Sequence, residues 1–357
     1  MTARAWVDDC PVGGIDEGQR MVEIHRIEKE EYPMSWWERL QSVLVAVAAV
    51  AGLAVGVAWS VGAAAEHVVL PALMVMLAAV FVQMDATQLA QAKRARAVVA
   101  ASLVLNFVFT PLLAWGLGAG LLGGSPDLRI GLLLLLVTPC TDWYLVFTAM
   151  ARGHSGIAAA LLPVNLILQL LLLPLYVLLL GGQAAMVDLG TLAESVLLVL
   201  AVPLAVALLA RWASARYRGV AWREQRILNP AGRLVLPLLY LAVFAMFAWQ
   251  ARTVLAHLDE LAMLLVPLAA FFVIAPLAAT ATARALRLPA DQRVTLTMTT
   301  TARNSPIALA LAVAAFPDRP LIAVALVVGP LVELPVLAVL AQIVRAPKQV
   351  ERQAAGA

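Results

Sequence analysis

Two short polar stretches interrupt a chain that is otherwise strongly apolar. The first is Thr138-Pro139-Cys140-Thr141-Asp142, and the second runs Thr297-Met298-Thr299-Thr300-Thr301-Ala302-Arg303-Asn304-Ser305-Pro306. A thiol is a soft ligand that takes thiophilic solutes. One thiol alone binds such a solute reversibly, whereas a cage of three thiolates would hold it too tightly for turnover. Pro139 and Pro306 each lack a main-chain N–H, and their rings crowd the preceding turn. Both stretches therefore break a helix and free backbone groups beside hydroxyls, the Asp142 carboxylate and the Arg303 guanidinium. The chemistry this suits is reversible binding. The chain has no HExxH motif, intramembrane His pair or Ser–His arrangement, and His25, His67, His154 and His257 fall in the N-terminal tail or at loop ends. An enzyme is therefore not expected, nor is a cofactor or a resident metal.

Charges at bilayer depth sharpen this picture, because each costs about 2.5–3.5 kcal/mol when unpaired. Asp142 and Arg303 are expected to pair where the two breaks meet, either as a structural lock or as part of ion coupling. Glu333, in Val328-Gly329-Pro330-Leu331-Val332-Glu333-Leu334-Pro335, is a third intramembrane ionisable group. It is a candidate proton carrier, or one member of a cation site with Asn and Gln oxygens. The candidate substrate-binding residues are thus Cys140, Thr141, Asp142, Arg303 and Asn304, and the candidate ion-coupling residues are Glu333, Asp142 and Thr138. Asn106, Asn165 and Gln169 read as interhelical hydrogen-bonding residues. Asp85, Asp127, Asp259 and Glu260 read as solvated helix ends.

The elements that carry these residues follow from composition. Of the 357 residues, 63% are hydrophobic and only 13% charged, against roughly 45–50% and about 25% in soluble domains. That excludes a soluble globule, a disordered chain and a nucleic-acid binder. Ten segments reach the roughly 20 apolar residues a spanning helix needs: 41–63, 67–86, 97–119, 129–151, 156–181, 190–210, 234–250, 260–282, 294–316 and 320–344. Long Leu/Ala/Val runs exclude the alternating strands of a β-barrel. With the N-terminal side taken as cytoplasmic, 21 of the 25 Lys and Arg residues fall on that side. The outer loops hold only Arg129, Arg252 and Arg319, as the positive-inside rule requires. A multi-pass protein of the cell membrane with both termini cytoplasmic is expected. Residues 1–37 are predicted to be a disordered cytoplasmic tail containing an inert Cys10, with Met21 and Met34 as alternative starts. Residues 346–357 form a second tail. The two cysteines imply no disulfide framework. Between Arg211 and Arg233 lies the one long connection, and the transporter-like region 38–345 is expected to divide into halves 38–182 and 188–345.

The halves resemble one another. Leu70-Pro71-Ala72-Leu73 matches Leu236-Pro237-Leu238-Leu239 at an offset of 166 residues, and Phe107-Val108-Phe109-Thr110-Pro111-Leu112 matches Phe272-Val273-Ile274-Ala275-Pro276-Leu277 at 165. Gln169 falls opposite Glu333 at 164. Five spans per copy make the second copy inverted. The predicted fold is all-α, with ten transmembrane helices in two inverted five-helix repeats and broken, crossing helices four and nine. Interrupted helices at matching places in inverted copies point to a secondary transporter with its site at the midplane.

Thr138-Pro139-Cys140-Thr141, followed by a fifth helix with Asn165, resembles the Pro-Cys-Thr signature of bacterial arsenite carriers, within the bile acid:sodium symporter superfamily. Val327-Val328-Gly329-Pro330-Leu331-Val332-Glu333-Leu334-Pro335-Val336 is similar to that family's last helix, and the ten-helix plan covers residues 38–345. The resemblance implies export of arsenite or antimonite by alternating access, exchanged for an ion, with Cys140 as the metalloid-contacting thiol. It also implies that the family's ninth-helix glutamates fall at Ala308 and near Thr299 here, where this chain has neither, and has Arg303 instead. Asp142 or Glu333 is then the candidate replacement carboxylate. The competing expectation is a sodium- or proton-coupled transporter of an organic anion, with Arg303 meeting the substrate carboxylate.

Overall fold

Every regular element among the described residues of the computed structural model is helical. In lipid a helix satisfies its own backbone, which is why so apolar a chain folds this way. The structure describes residues 36–59, 62–83, 95–140, 143–181, 194, 197–217 and 219–345. Both predicted tails (1–37 but for its last two residues, and 346–357), Cys10, Asp85, Thr141, Asp142 and the junction of the predicted halves lie outside these. The helices are α1 (Trp36–Ala58), α2 (Gly62–Gln83), α3 (Arg96–Leu121), α4 (Pro126–Val137), α5 (Trp143–Met150) and α6 (Ser155–Leu180). They continue as α7 (Val202–Tyr217), α8 (Glu224–Trp249), α9 (Leu258–Ala285), α10 (Ala290–Thr301), α11 (Ser305–Ala315) and α12 (Pro320–Ile343).

Among the described residues, α2, α3, α8, α9 and α12 are the five helices long and apolar enough to cross a membrane unbroken. Apolar side chains such as Val43, Val47, Leu171, Leu208 and Val273 are exposed along their helices, as a lipid-facing surface requires. This is an integral membrane protein. Residues 41–357 form one compact unit, and residues 1–40 a separate one of which only 36–40 are described.

The centre of the larger unit is built from α4, α10 and α11. Every residue from Ile130 to Cys140 is buried, and so is every residue from Val294 to Ser305. α12 packs on α4 and α11, α6 packs on α4 and α5, and α2 packs along α8. Small residues let backbones approach: a Cβ on Gly131 of α4 would lie 2.9 Å from the Ala325 Cβ and 3.2 Å from the Ile322 carbonyl oxygen of α12. Gly52 and Gly56 similarly bring α1 against the Phe244 and Ala248 carbonyls of α8. This is the small-xxx-small packing of membrane helices.

The loop expected over 211–233 is mostly helix instead. α7 continues to Tyr217, a single helical turn spans Val220–Arg223, and α8 begins at Glu224. Hydropathy ends where the apolar stripe ends, but arginine is a good helix former and its long stem lets the charged head reach the interface.

Candidate functional site

α4 stops at Val137 and α10 at Thr301, because Pro139 and the segment ahead of Pro306 cannot continue them. Thr138 and Ala302 turn to extended backbone, with ψ of 96° and 138°. The two breaks lie side by side, paired antiparallel at Pro139 and Arg303. The Cys140 N–H donates to the Ala302 carbonyl at 3.1 Å, and the Asn304 N–H donates to the Thr138 carbonyl at 2.8 Å. A stretch of two-stranded pairing thus sits inside a helical membrane protein, where it satisfies groups that have no helical partner.

The last turn of a helix leaves carbonyls without N–H partners, and side chains take up these. The Thr138 hydroxyl donates to the Leu134 and Leu135 carbonyls at 2.9 and 3.0 Å. The Leu136 carbonyl accepts from Arg303 Nη1 at 2.8 Å. At the end of α10, the Thr301 hydroxyl donates to the Thr297 carbonyl at 2.7 Å, and Arg303 Nη2 donates to the Thr300 carbonyl. Beyond the breaks new helices start: Asn304 caps α11, its Oδ1 accepting from the Ile307 N–H at 3.2 Å.

Arg303 is the hub. It is 1% exposed. Its Nη2 also donates to Asn106 Oδ1 at 2.7 Å, and its guanidinium carbon lies 5.3 Å from the centre of the Phe271 ring. Its main-chain N–H donates to Glu333 Oε1 at 2.8 Å. Asn106 in turn donates to Ser102 at 3.2 Å, and Ser102 faces Thr299 at 3.4 Å. The guanidinium is therefore held by two helix C-termini, whose partial negative charge favours a cation, and by α3 and α9.

Of the seven residues singled out in the sequence, Cys140, Thr138, Arg303, Asn304 and Glu333 are brought together here. Thr141 and Asp142 lie outside the described residues, and so does the expected Asp142–Arg303 pair. Cys140 is buried among Tyr144, Leu162, Met298, Leu334 and Leu337, on the apolar flank of the paired breaks. Asn165 and Gln169 are one turn apart on α6, both buried, and their amides have no hydrogen-bond partner among the described residues; the same is true of the Thr300 and Ser305 hydroxyls. Buried polar groups without partners are rare, and these four residues offer donors and acceptors that the described residues leave unused. Sequence reasoning treated Asn106 as an ordinary interhelical residue. The signal that could have raised it is its place in a widened π-type turn over Leu105–Phe109 just before Pro111, since such turns gather at functional positions.

Comparison with known proteins agrees with this architecture. Residues 70–257 match the Sodium Bile acid symporter family. An arsenical-resistance protein Acr3 of Corynebacterium glutamicum is 26% identical over 247 residues, covering 66% of this chain and 66% of its own length. An uncharacterized transporter of Synechocystis is 25% identical over 340 residues, covering 87% and 88%. A second arsenical-resistance protein, from Alkaliphilus metalliredigens, is 28% identical over 220 residues, covering 61% of each chain.

Proposed function

The chain belongs to the sodium bile acid symporter family, a family of membrane transporters and not of enzymes, and from that premise we propose that it exports arsenite, or antimonite, by alternating access. The observation that carries this is a single buried thiol, Cys140, at the junction of two paired helix breaks. Arsenite is largely the neutral hydroxide at neutral pH, so its site needs a soft ligand and hydroxyl-matching polar groups more than a charge. Cys140 supplies the first, with Thr141 and Asp142 next along the chain, Asn304 across the paired breaks and Arg303 fixing the crossing. The resistance proteins named above support the substrate.

The ten-span plan of two inverted repeats is part of the same proposal. It is supported by α2 packing on α8, each with an internal proline, Pro71 and Pro237, and by the matched breaks after α4 and α10. Export would proceed as the block bearing the crossing rocks against the remaining helices. An ion gradient would drive it, with Glu333 or Asp142 as the protonatable carboxylate. The protein would lie in the cell membrane with both termini cytoplasmic, an orientation that its arginine distribution supports.

The competing organic-anion transporter needs Arg303 to meet a carboxylate. Both terminal nitrogens of Arg303 already donate to Leu136, Thr300 and Asn106, which disfavours that use. Expression in an arsenite-sensitive host tests the proposal. The wild type is expected to confer resistance and Cys140→Ala to lose it at equal membrane abundance. Equal resistance in both removes the thiol from the mechanism, and no resistance in either removes arsenite.

A further inference from the structure

The family's description implies sodium as a transported partner, so the crossing must be asked whether it fits that ion. A small hard cation takes oxygen ligands. In transporters with broken helices these come from unwound carbonyls and half-helix C-terminal ends. The crossing has such a set: the Leu136 carbonyl at the end of α4, the Thr300 carbonyl at the end of α10, the Asn106 amide oxygen of α3 and the Glu333 carboxylate of α12.

Arg303 already uses all four. Its Nη1 is 2.8 Å from the Leu136 oxygen, its Nη2 is 2.7 Å from Asn106 Oδ1 and also bonds the Thr300 oxygen, and its main-chain N–H is 2.8 Å from Glu333 Oε1. The Phe271 ring lies 5.3 Å from the guanidinium carbon. The side chain is buried at 1% exposure, so a second cation entering beside it would meet a like charge with little water to screen it. The residues present do not fit sodium.

We infer that the Arg303 guanidinium is the resident cation of this crossing, a tethered occupant of the oxygen cage formed by Leu136, Thr300 and Asn106, and that this family member binds no sodium there. A tethered cation neutralises the helix ends permanently and cannot leave on either side of the membrane. Sodium movement through the crossing therefore cannot drive this transporter. The inference deepens the proposed function at the same site but rests only on family membership and the geometry, not on arsenite.

The test is thermal unfolding of the full-length protein in lipid nanodiscs, followed by tryptophan fluorescence, in equal concentrations of choline, potassium or sodium chloride. Ligand binding to the folded state raises the melting temperature. The wild type is expected to melt at one temperature in all three salts. Arg303→Ala empties the cage of its own cation, so its melting temperature is lower in choline and rises by about 5 °C or more in sodium. A saturable, sodium-specific rise in the wild type overturns the inference, as does an Arg303→Ala protein that folds and ignores sodium. Equilibrium binding of radioactive sodium to the wild type decides the matter if Arg303→Ala does not fold: stoichiometric binding displaced by excess unlabelled sodium overturns it, and no binding supports it. Arsenite enters no arm, so failure of the arsenite proposal leaves these outcomes unchanged.

Discussion

Glu333 gives a sharp test of how the crossing tolerates a buried charge. Its Oε1 accepts from the Arg303 main-chain N–H at 2.8 Å, and the two residues are 3% and 1% exposed. Glu333→Gln keeps an acceptor oxygen for that N–H and removes only the negative charge. Leaving one member of a buried pair uncompensated costs about 3–5 kcal/mol. Losing a single interhelical hydrogen bond in a membrane protein costs about 0.6 kcal/mol on average. The two roles therefore predict losses that differ roughly fivefold. Since the hydrogen bond can persist in Glu333→Gln, a loss of about 3 kcal/mol assigns the effect to charge. The double variant Glu333→Gln, Arg303→Met removes both charges, and its loss is expected to fall short of the summed single losses by about 2 kcal/mol. Reversible unfolding of the full chain in mixed micelles, read by tryptophan fluorescence, measures all four proteins. If Glu333→Gln lies within about 1 kcal/mol of wild type and the double variant is additive, the carboxylate does not compensate Arg303 and the reasoning fails.

The remaining predictions are smaller in scope. Gly329→Ala should destabilise by about 1–3 kcal/mol through overpacking, because its Cβ would lie 2.7 Å from Leu135 Cδ1 and 2.8 Å from Ser305 Oγ; the same unfolding assay reads it. Thr138→Val should cost about 1 kcal/mol and Thr138→Ser much less, since the serine hydroxyl can still reach the Leu134 and Leu135 carbonyls. Asp127→Asn should cost under about 1 kcal/mol and converge on wild type at high salt, because the Asp127–Arg319 pair is 26% and 30% exposed.

The helical membrane fold was legible because composition and the length of the apolar runs leave little alternative in lipid. The breaks were legible too, since Pro139 lies in the first and Pro306 opens the helix that follows the second. What holds Arg303 was much less so. Two of its partners are main-chain carbonyls, which every residue possesses and which no side-chain pattern reveals. A third, Asn106, lies 197 residues away on another helix. Residue types point instead to charge pairing, here with the Asp142 carboxylate, which lies outside the described residues. The extent of α7 and α8 through the arginine-rich segment was hidden for a related reason. Apolar patterning marks where lipid ends, not where a helix ends.

The strand-like pairing of 138–140 with 302–304 has a consequence for how such proteins diversify. The two junction bonds, Cys140 to Ala302 and Asn304 to Thr138, run between main-chain atoms, so the pairing itself does not call on the side chain at position 140. Except for proline, which would delete a donor, the residue at 140 can be exchanged while Thr138, Arg303 and Asn304 keep the scaffold in register. New cargo preferences can then arise at the joint by single substitutions, on a frame whose geometry is inherited unchanged.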